Sequence, residues 1–451
     1  MVDADLRPTL GSLGAKIKDL AESYERLLKE NEIEAPTLAA DSPVNISKFT
    51  PELFMTKQKL ADAMNDLSII SQGPSESVFN YAHNVGPDMA ALNIMNHFNF
   101  WNAVPASGSA SIADIAKHTA LPEEVVQRVI EHGTTLRYFA YTDNAAPSKS
   151  PIQHTSRSAA LAKSPGLRAL VASCIQDIMP PMAIMPEALE RYSLGKPKTT
   201  KEMSETAFAM AHSGGEVFGN FANVWDYLEN DGQGEKKGWR QRNFNAWMTY
   251  IKEIFGTKDV LLNAFDWKAA GEATVADIGG SGGHDAFELA EAYPNLKIVV
   301  QDLHECQPIF DQNVPSSLQS RVSFQEHDFF QPQRVHADVF FFKLIFHDWP
   351  DKESVEILQA LRPALRRGAK VLFVEYMGKQ GEIDASIPRS IRQFGTSTDL
   401  RMMALFNARE RPVDAWKEIF RAADERFEVV RVDANPLTFM VVVEAVWRGE
   451  E

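Results

Sequence analysis

The chain has 451 residues, 44% hydrophobic and 24% charged, which fits two to three globular domains whose cores need neither metal nor disulfide. Lys and Arg number 46 against 61 Asp and Glu, and the net charge of −15 disfavours nucleic acid as a partner. Cys174 and Cys306 stand far apart outside any metal-type spacing, no run approaches about 18 apolar residues, and the N-terminus has no apolar secretory region, so the expectation is a cytoplasmic protein with two separate thiols, no metal and no membrane span.

In chain order, Leu13, Ile17, Leu20, Tyr24, Leu27 and Leu28 recur at helical spacing and predict a first helix. A break over 35–43 is followed by a second helical run from Pro51, giving an N-terminal helical arm over 1–87. Residues 88–165 read as a winged-helix-like domain. Within 111–139 two short helices flank a turn at Thr119–Pro122, with Ser111 and Asp114 forming an S-x-x-D cap, and a polar stretch over 141–155 supplies the wing. Its second helix, PEEVVQRVIEH, is acidic and unsuited to DNA. Residues 166–265 are helical and rich in Met and aromatics; most belong to a core and some line an apolar pocket. From 266 to 451 short apolar strands alternate with helices, which predicts an α/β fold: a Rossmann-like, doubly wound, mainly parallel sheet.

Four motifs in this last region carry chemistry. In ADIGGSGGH a strand ends at Asp277 and a turn of Gly279, Gly280, Ser281, Gly282 and Gly283 leads into a helix near His284, a geometry that lets a ligand approach bare backbone. Asp302 and Leu303 end the next strand, about twenty residues on, where a carboxylate can accept hydrogen bonds from ribose hydroxyls. Asp328 and Phe329 end the third strand and suit an adenine amino group and ring face. The most specific motif is FFFKLIFHDWPD, in which an apolar strand bearing Lys343 delivers His347 to the ligand-binding edge of the sheet. Glu375 ends the following strand, and Glu410 lies further on in NARERP. A neutral His can take a proton from an acceptor oxygen, and a carboxylate behind it fixes the tautomer; one acid on each side holds the ring.

These residues resemble the class I, plant-caffeate-type O-methyltransferases, in detail their fungal secondary-metabolism branch, over roughly residues 88–445. The likeness includes HTSRSAALA (154–162) of the dimerisation region. It implies S-adenosyl-L-methionine as cofactor, with S-adenosylhomocysteine as product. It implies His347, Glu375 and Glu410 as catalytic residues. The cofactor positions fall on the glycine turn, Asp302, Asp328, Phe329 and Lys343, and substrate contacts on Met403 and Asn407 of DLRMMALFN. The implied substrate is a small hydroxylated aromatic or polyketide-type metabolite, and the implied assembly is a homodimer. Two other enzyme readings stay open: a pericyclase or dehydratase that keeps the cofactor without moving a methyl group, and N- or S-methylation on the same scaffold. A winged-helix regulator is the non-enzymatic alternative, opposed by the acidic charge.

Overall fold

A computed structural model describes residues 7–46, 50–146, 150–255, 257–378, 387–435 and 438–450. The middle of the expected wing, 147–149, lies outside them. Two compact units emerge: Met1–Pro180 with Trp225–Ile254 and Pro388–Ser390, and Pro181–Val224 with Phe255–Ile387 and Ile391–Glu451.

In the first unit the helices Leu10–Glu30 and Pro51–Gln72 begin on the hydroxyl caps Thr9 and Thr50. They close a small core of Leu27, Leu28 and Leu53. The helix Pro74–His97 then runs unbroken through Gly86 and Pro87. The expected domain boundary at 87/88 therefore falls inside a helix; Pro87 removes one backbone donor but does not end the element. The 166–265 segment is likewise not one body, because Trp225–Ile254 clusters with the first unit and Pro181–Val224 with the second. Helices Ile112–Thr119 and Glu123–Thr135 take the expected places, and Ser111 and Asp114 form the reciprocal cap. Strands β1 (Ser109–Ala110), β2 (Phe139–Tyr141) and β3 (Ile152–His154) make a small antiparallel sheet in the order β1-β3-β2. Trp101, Ile115, Ile130 and Phe139 fill the core there.

The second unit is built on seven strands: β4 (Thr274–Ile278), β5 (Lys297–Asp302), β6 (Val322–Glu326), β7 (Val339–Lys343), β8 (Lys370–Tyr376), β9 (Phe427–Asn435) and β10 (Met440–Trp447). Their order is β6-β5-β4-β7-β8-β10-β9. The first five pair in parallel, and β10 runs antiparallel to β8 and β9. Both faces of the sheet are covered, so β7 is apolar on both sides. Phe340 and Phe342 join one core with Phe346, Phe373 and Trp416, while Val339 and Phe341 join the other with Trp267, Leu289 and Leu372. Each such ring or branched chain is worth about 1.5–3 kcal/mol in burial. The edge strand β9 is not among the expected ones; its alternation of exposed and half-buried positions hides it.

The strand order locates the ligand-binding edge. β4 and β7 are neighbours although they are not consecutive parallel strands, so the crevice at their carboxyl ends is the switch point of the sheet.

Candidate functional site

The turn after β4 is tightly packed against its own protein. Gly279 and Gly283 adopt positive φ (72° and 82°), and Ser281 follows at 49°. A Cβ on Gly279 would stand 2.4 Å from Ile345 Cδ1, and one on Gly280 would stand 2.5 Å from Asp277 Oδ2. The glycines thus serve close approach to neighbouring side chains before any ligand is considered. Asp277 lies buried under the turn. Asp302, at the end of β5, spans the turn with both oxygens: Ser281 N–H donates to Oδ2 and Leu303 N–H to Oδ1, each at 2.8 Å. The Cys306 thiol also donates to it. Burial raises the Asp302 carboxyl, and these donors oppose that rise. Leu303 itself is exposed.

Past β6, Asp328 Oδ1 accepts the Phe330 N–H at 3.0 Å. Phe329 packs edge-on against Trp349 at 5.7 Å between ring centres. Lys343, at the end of β7, has a buried side chain with its Nζ 2.7 Å from Asp285 Oδ1 in the first turn of helix His284–Ala292. The ammonium thereby joins β7 to the helix after the glycine turn.

Beyond Lys343 the chain turns through Leu344 at φ 55° into the 3-10 turn Phe346–Asp348. His347 is buried there, edge-on to Tyr376. Its Nδ1 lies 3.0 Å from Glu410 Oε1. A carboxylate only accepts, so this nitrogen carries the hydrogen and Nε2 is left for proton transfer. The second acid beside the ring differs from expectation. Glu375 Oε1 accepts the amides of Ile345 and Phe346 at 3.0 and 2.8 Å and makes no hydrogen bond to the ring. Asp348, next in sequence, places Oδ1 3.6 Å from Nε2. Glu375 was expected at the ring because it ends the adjoining strand, but the amides of the sharp turn capture its carboxylate first. Burial disfavours a charged ring, yet the charges of Asp348 and Glu410, the Glu410 hydrogen bond and the charge of Glu375 outweigh it and push His347 up to about 10. Burial also lifts Asp348 to about 6 and Glu375 to about 7.

Met403 and Asn407 line a narrow cleft with Met185, Leu189, Ser193, Thr200, Glu205 and Ala207, with room for about one water molecule. Asn407 sits at φ 53° with its Nδ2 donating to the Glu202 carbonyl at 2.7 Å. His347 and Asp302 are not among the residues lining this cleft.

Known proteins share this architecture. An O-methyltransferase domain model matches residues 211–425. The O-methyltransferase lcsG of Purpureocillium lilacinum is 43% identical over 456 residues, spanning 100% of this chain and 97% of that protein. The chain belongs to the O-methyltransferase family. Among solved structures, OxaC in complex with SAH and oxaline matches this O-methyltransferase with a TM-score of 0.72 at 19% identity, over 97% of this chain and 100% of that one. A pericyclic reaction enzyme matches with a TM-score of 0.69 at 18% identity, over 96% and 100%. At these identities the likeness is one of fold.

The cofactor of an O-methyltransferase of this kind is S-adenosylmethionine. The residues present have the chemistry it requires. Two backbone N–H groups and the Cys306 thiol take three of the four lone-pair positions of the Asp302 carboxylate, which leaves one for a hydroxyl. Phe329 offers a ring face, and the Cβ-free Gly279 lies 4.0 Å, measured from that absent atom, from Phe329 Cε1. One buried charge beside the site is not anticipated by the sequence motifs: Arg411, next to Glu410. It donates to the carbonyls of Phe346 and Trp349, the latter at 2.6 Å, to Asp351 Oδ1 and to Ser354 Oγ. The signal for it was the second Asp of HDWPD, a charge needing a partner.

Proposed function

We propose that this O-methyltransferase methylates a hydroxyl group of a small aromatic or polyketide-type secondary metabolite, with His347 as general base. The single observation that carries this reading is the 3.0 Å contact between His347 Nδ1 and Glu410 Oε1 at the switch point of the sheet. It orients a buried ring whose other nitrogen is positioned to take a proton.

A phenol releases its proton near about pH 10, so a base is needed, and with its pKa raised to about 10 the His347 ring serves as one through its neutral fraction. S-adenosylmethionine, when bound, supplies an electrophilic methyl group on a sulfonium. Asp302 would hold its ribose, with Asp277, Asp328, Phe329 and the backbone of Gly279 to Ser281 around the remainder. Lys343, neutralised by Asp285, would brace this cradle. His347 Nε2 would take the proton of the acceptor hydroxyl and leave its oxygen free to receive that methyl group. Glu410 stabilises the resulting imidazolium. Asp348 stands where it can accept the same proton or orient the acceptor hydroxyl.

The test is mass spectrometry of products formed from S-adenosylmethionine and a panel of phenolic and polyketide acceptors. The expected result is a methylated product with an equal amount of S-adenosylhomocysteine. His347→Ala should then cut turnover at least about a hundredfold and leave cofactor affinity unchanged. An isomerised or dehydrated product with the cofactor unspent would replace methyl transfer by pericyclic or dehydration chemistry.

A homodimer is part of the same proposal. Val78, Phe79 and Tyr81 of helix Pro74–His97 are 69%, 62% and 75% exposed, an apolar surface that a second copy would cover. Light scattering that gives a monomer mass at micromolar concentration would refute it. No single helix among the described residues is long and apolar enough to cross a membrane. A small-molecule acceptor, with no nucleic acid or membrane partner and a cytoplasmic site of action, completes the proposal.

A further inference from the structure

A fully buried arginine calls for a reason, because desolvating a guanidinium is costly before any pairing offsets it. Arg411 follows Glu410 directly, and the two side chains act on the same short turn. Glu410 takes the ring of His347. Arg411 takes the backbone carbonyls on either side of His347 and Asp348, those of Phe346 and Trp349. From the other direction Glu375 takes the amides of Ile345 and Phe346. Asp351 Oδ1, in the first turn of helix Asp351–Ala360, accepts from Arg411 Nε at 3.1 Å and Nη2 at 2.9 Å. Trp416 covers the guanidinium at 5.3 Å from its ring.

We propose that Arg411, anchored by Asp351, is a positioning residue that fixes the His347 turn relative to Glu410 and so sets the direction of their hydrogen bond. A planar fork can reach two carbonyls and one carboxylate at once, which an ammonium cannot. Stability alone does not explain the choice, since an apolar side chain of similar volume in a buried site is often as stabilising as an ion pair. The proposal rests on His347 being the base, but its test reads the ring itself.

The experiment is nitrogen-15 NMR of the full chain labelled at histidine, with no ligand added and the His347 signal assigned by its loss in His347→Gln. The groups facing the ring are Glu410, Glu375 and Tyr376 from neighbouring elements and Asp348 from its own turn. Arg411→Lys keeps the positive charge but loses the fork. The Glu410 contact should loosen, and the ring should titrate about one unit lower or more, as loss of a close opposite charge does. Affinity for S-adenosylmethionine, measured by calorimetry, should stay within about twofold, because the variant leaves Asp302 and its donors untouched.

If Arg411→Lys does not fold, Asp351→Asn decides the question. Its carboxylate is 42% exposed, and a smaller shift in the same direction is expected, with recovery in Asp351→Glu. A wild-type ring titration in folded Arg411→Lys or Asp351→Asn, or a loss of cofactor affinity with an unmoved ring, would overturn the proposal. A shifted ring in Arg411→Lys together with full turnover in His347→Ala would preserve the positioning role and remove the base assignment instead.

Discussion

His347 stands between two acids of different origin: Glu410 binds its Nδ1 at 3.0 Å, and Asp348, its chain neighbour, faces Nε2 at 3.6 Å. The first contact fixes the tautomer. The second puts a negative charge beside the nitrogen that must accept a proton, which strengthens the base and also holds its proton longer in the resting enzyme.

This relationship predicts a pH effect. Turnover that needs a neutral ring rises with pH through the pKa of His347, which lies well above the usual histidine range. Removing a nearby negative charge lowers that pKa. Asp348→Asn should therefore move the acidic limb of the kcat/KM profile to lower pH by about one unit or more. An unmoved limb would show that Asp348 does not act on the ring.

Asp302 should separate binding from chemistry. Asp302→Ala removes the carboxylate that receives Ser281 and Leu303. We expect affinity for S-adenosylmethionine to fall at least about tenfold, in line with loss of a charge-assisted hydrogen bond. Titration calorimetry reads this directly, and wild-type affinity in that variant would put the ribose contact elsewhere.

Glu375 is the clearest stability probe. It is fully buried, with Oε2 lacking a hydrogen-bond partner. Burial raises its carboxyl from 4.5 to about 7, and the nearby His347 and the amides of Phe346 and Ile345 oppose the rise. A carboxyl with a raised folded pKa contributes stability that is complete below the unfolded value and is lost as pH climbs through the folded one. His347 is also raised, and its stabilisation is lost between its ordinary value of 6.5 and about 10, a decline that both proteins share. Between about pH 5 and 8 wild-type stability should thus fall by an amount on the order of a few kcal/mol more than that of Glu375→Gln. Urea midpoints at the two pH values measure this, and parallel declines in both proteins would assign the lost stability to another group.

Gly279→Ala tests the turn. At φ 72° with Ile345 Cδ1 in the way, an alanine is both strained and crowded. A loss of roughly 1–3 kcal/mol of stability is expected, together with weaker cofactor binding. A thermal midpoint matching wild type would mean that the turn re-forms around the methyl group.

The parallel half of the sheet and the place of His347 were legible in the sequence because each has a local signature, whereas the pairing of His347 with Glu410 came from the family resemblance. Apolar runs of strand length mark β4 to β8, and HDWPD carries its histidine in a fixed relation to a strand end. What was hidden depends on backbone geometry that no side-chain pattern encodes. Glu375 was foreseen near the ring, but which of its neighbours would take the carboxylate turned on two amides exposed by the bend after Leu344. Nothing in ARERP marks Arg411 as internal; the carbonyls of Phe346 and Trp349, more than sixty residues earlier, make it so. Strand β9 escaped because an edge strand with FEVVRVDAN alternates too weakly against a half-solvated face. The helix Pro74–His97 escaped division because Gly86 and Pro87 punctuate a sequence more strongly than they punctuate a packed helix.

The arrangement of strands has an evolutionary consequence. The carboxylate and glycine turn assigned to the donor come from β4 and β5, whereas the histidine and its acids come from β7, β8 and the chain beyond them. The two flanks meet along the β4–β7 seam and at a few side-chain contacts such as Lys343 with Asp285. Drift on one flank leaves the other intact, so such a scaffold can inherit a nucleoside-holding half unchanged while its acceptor half is rewritten, residue by residue, for a different transformation.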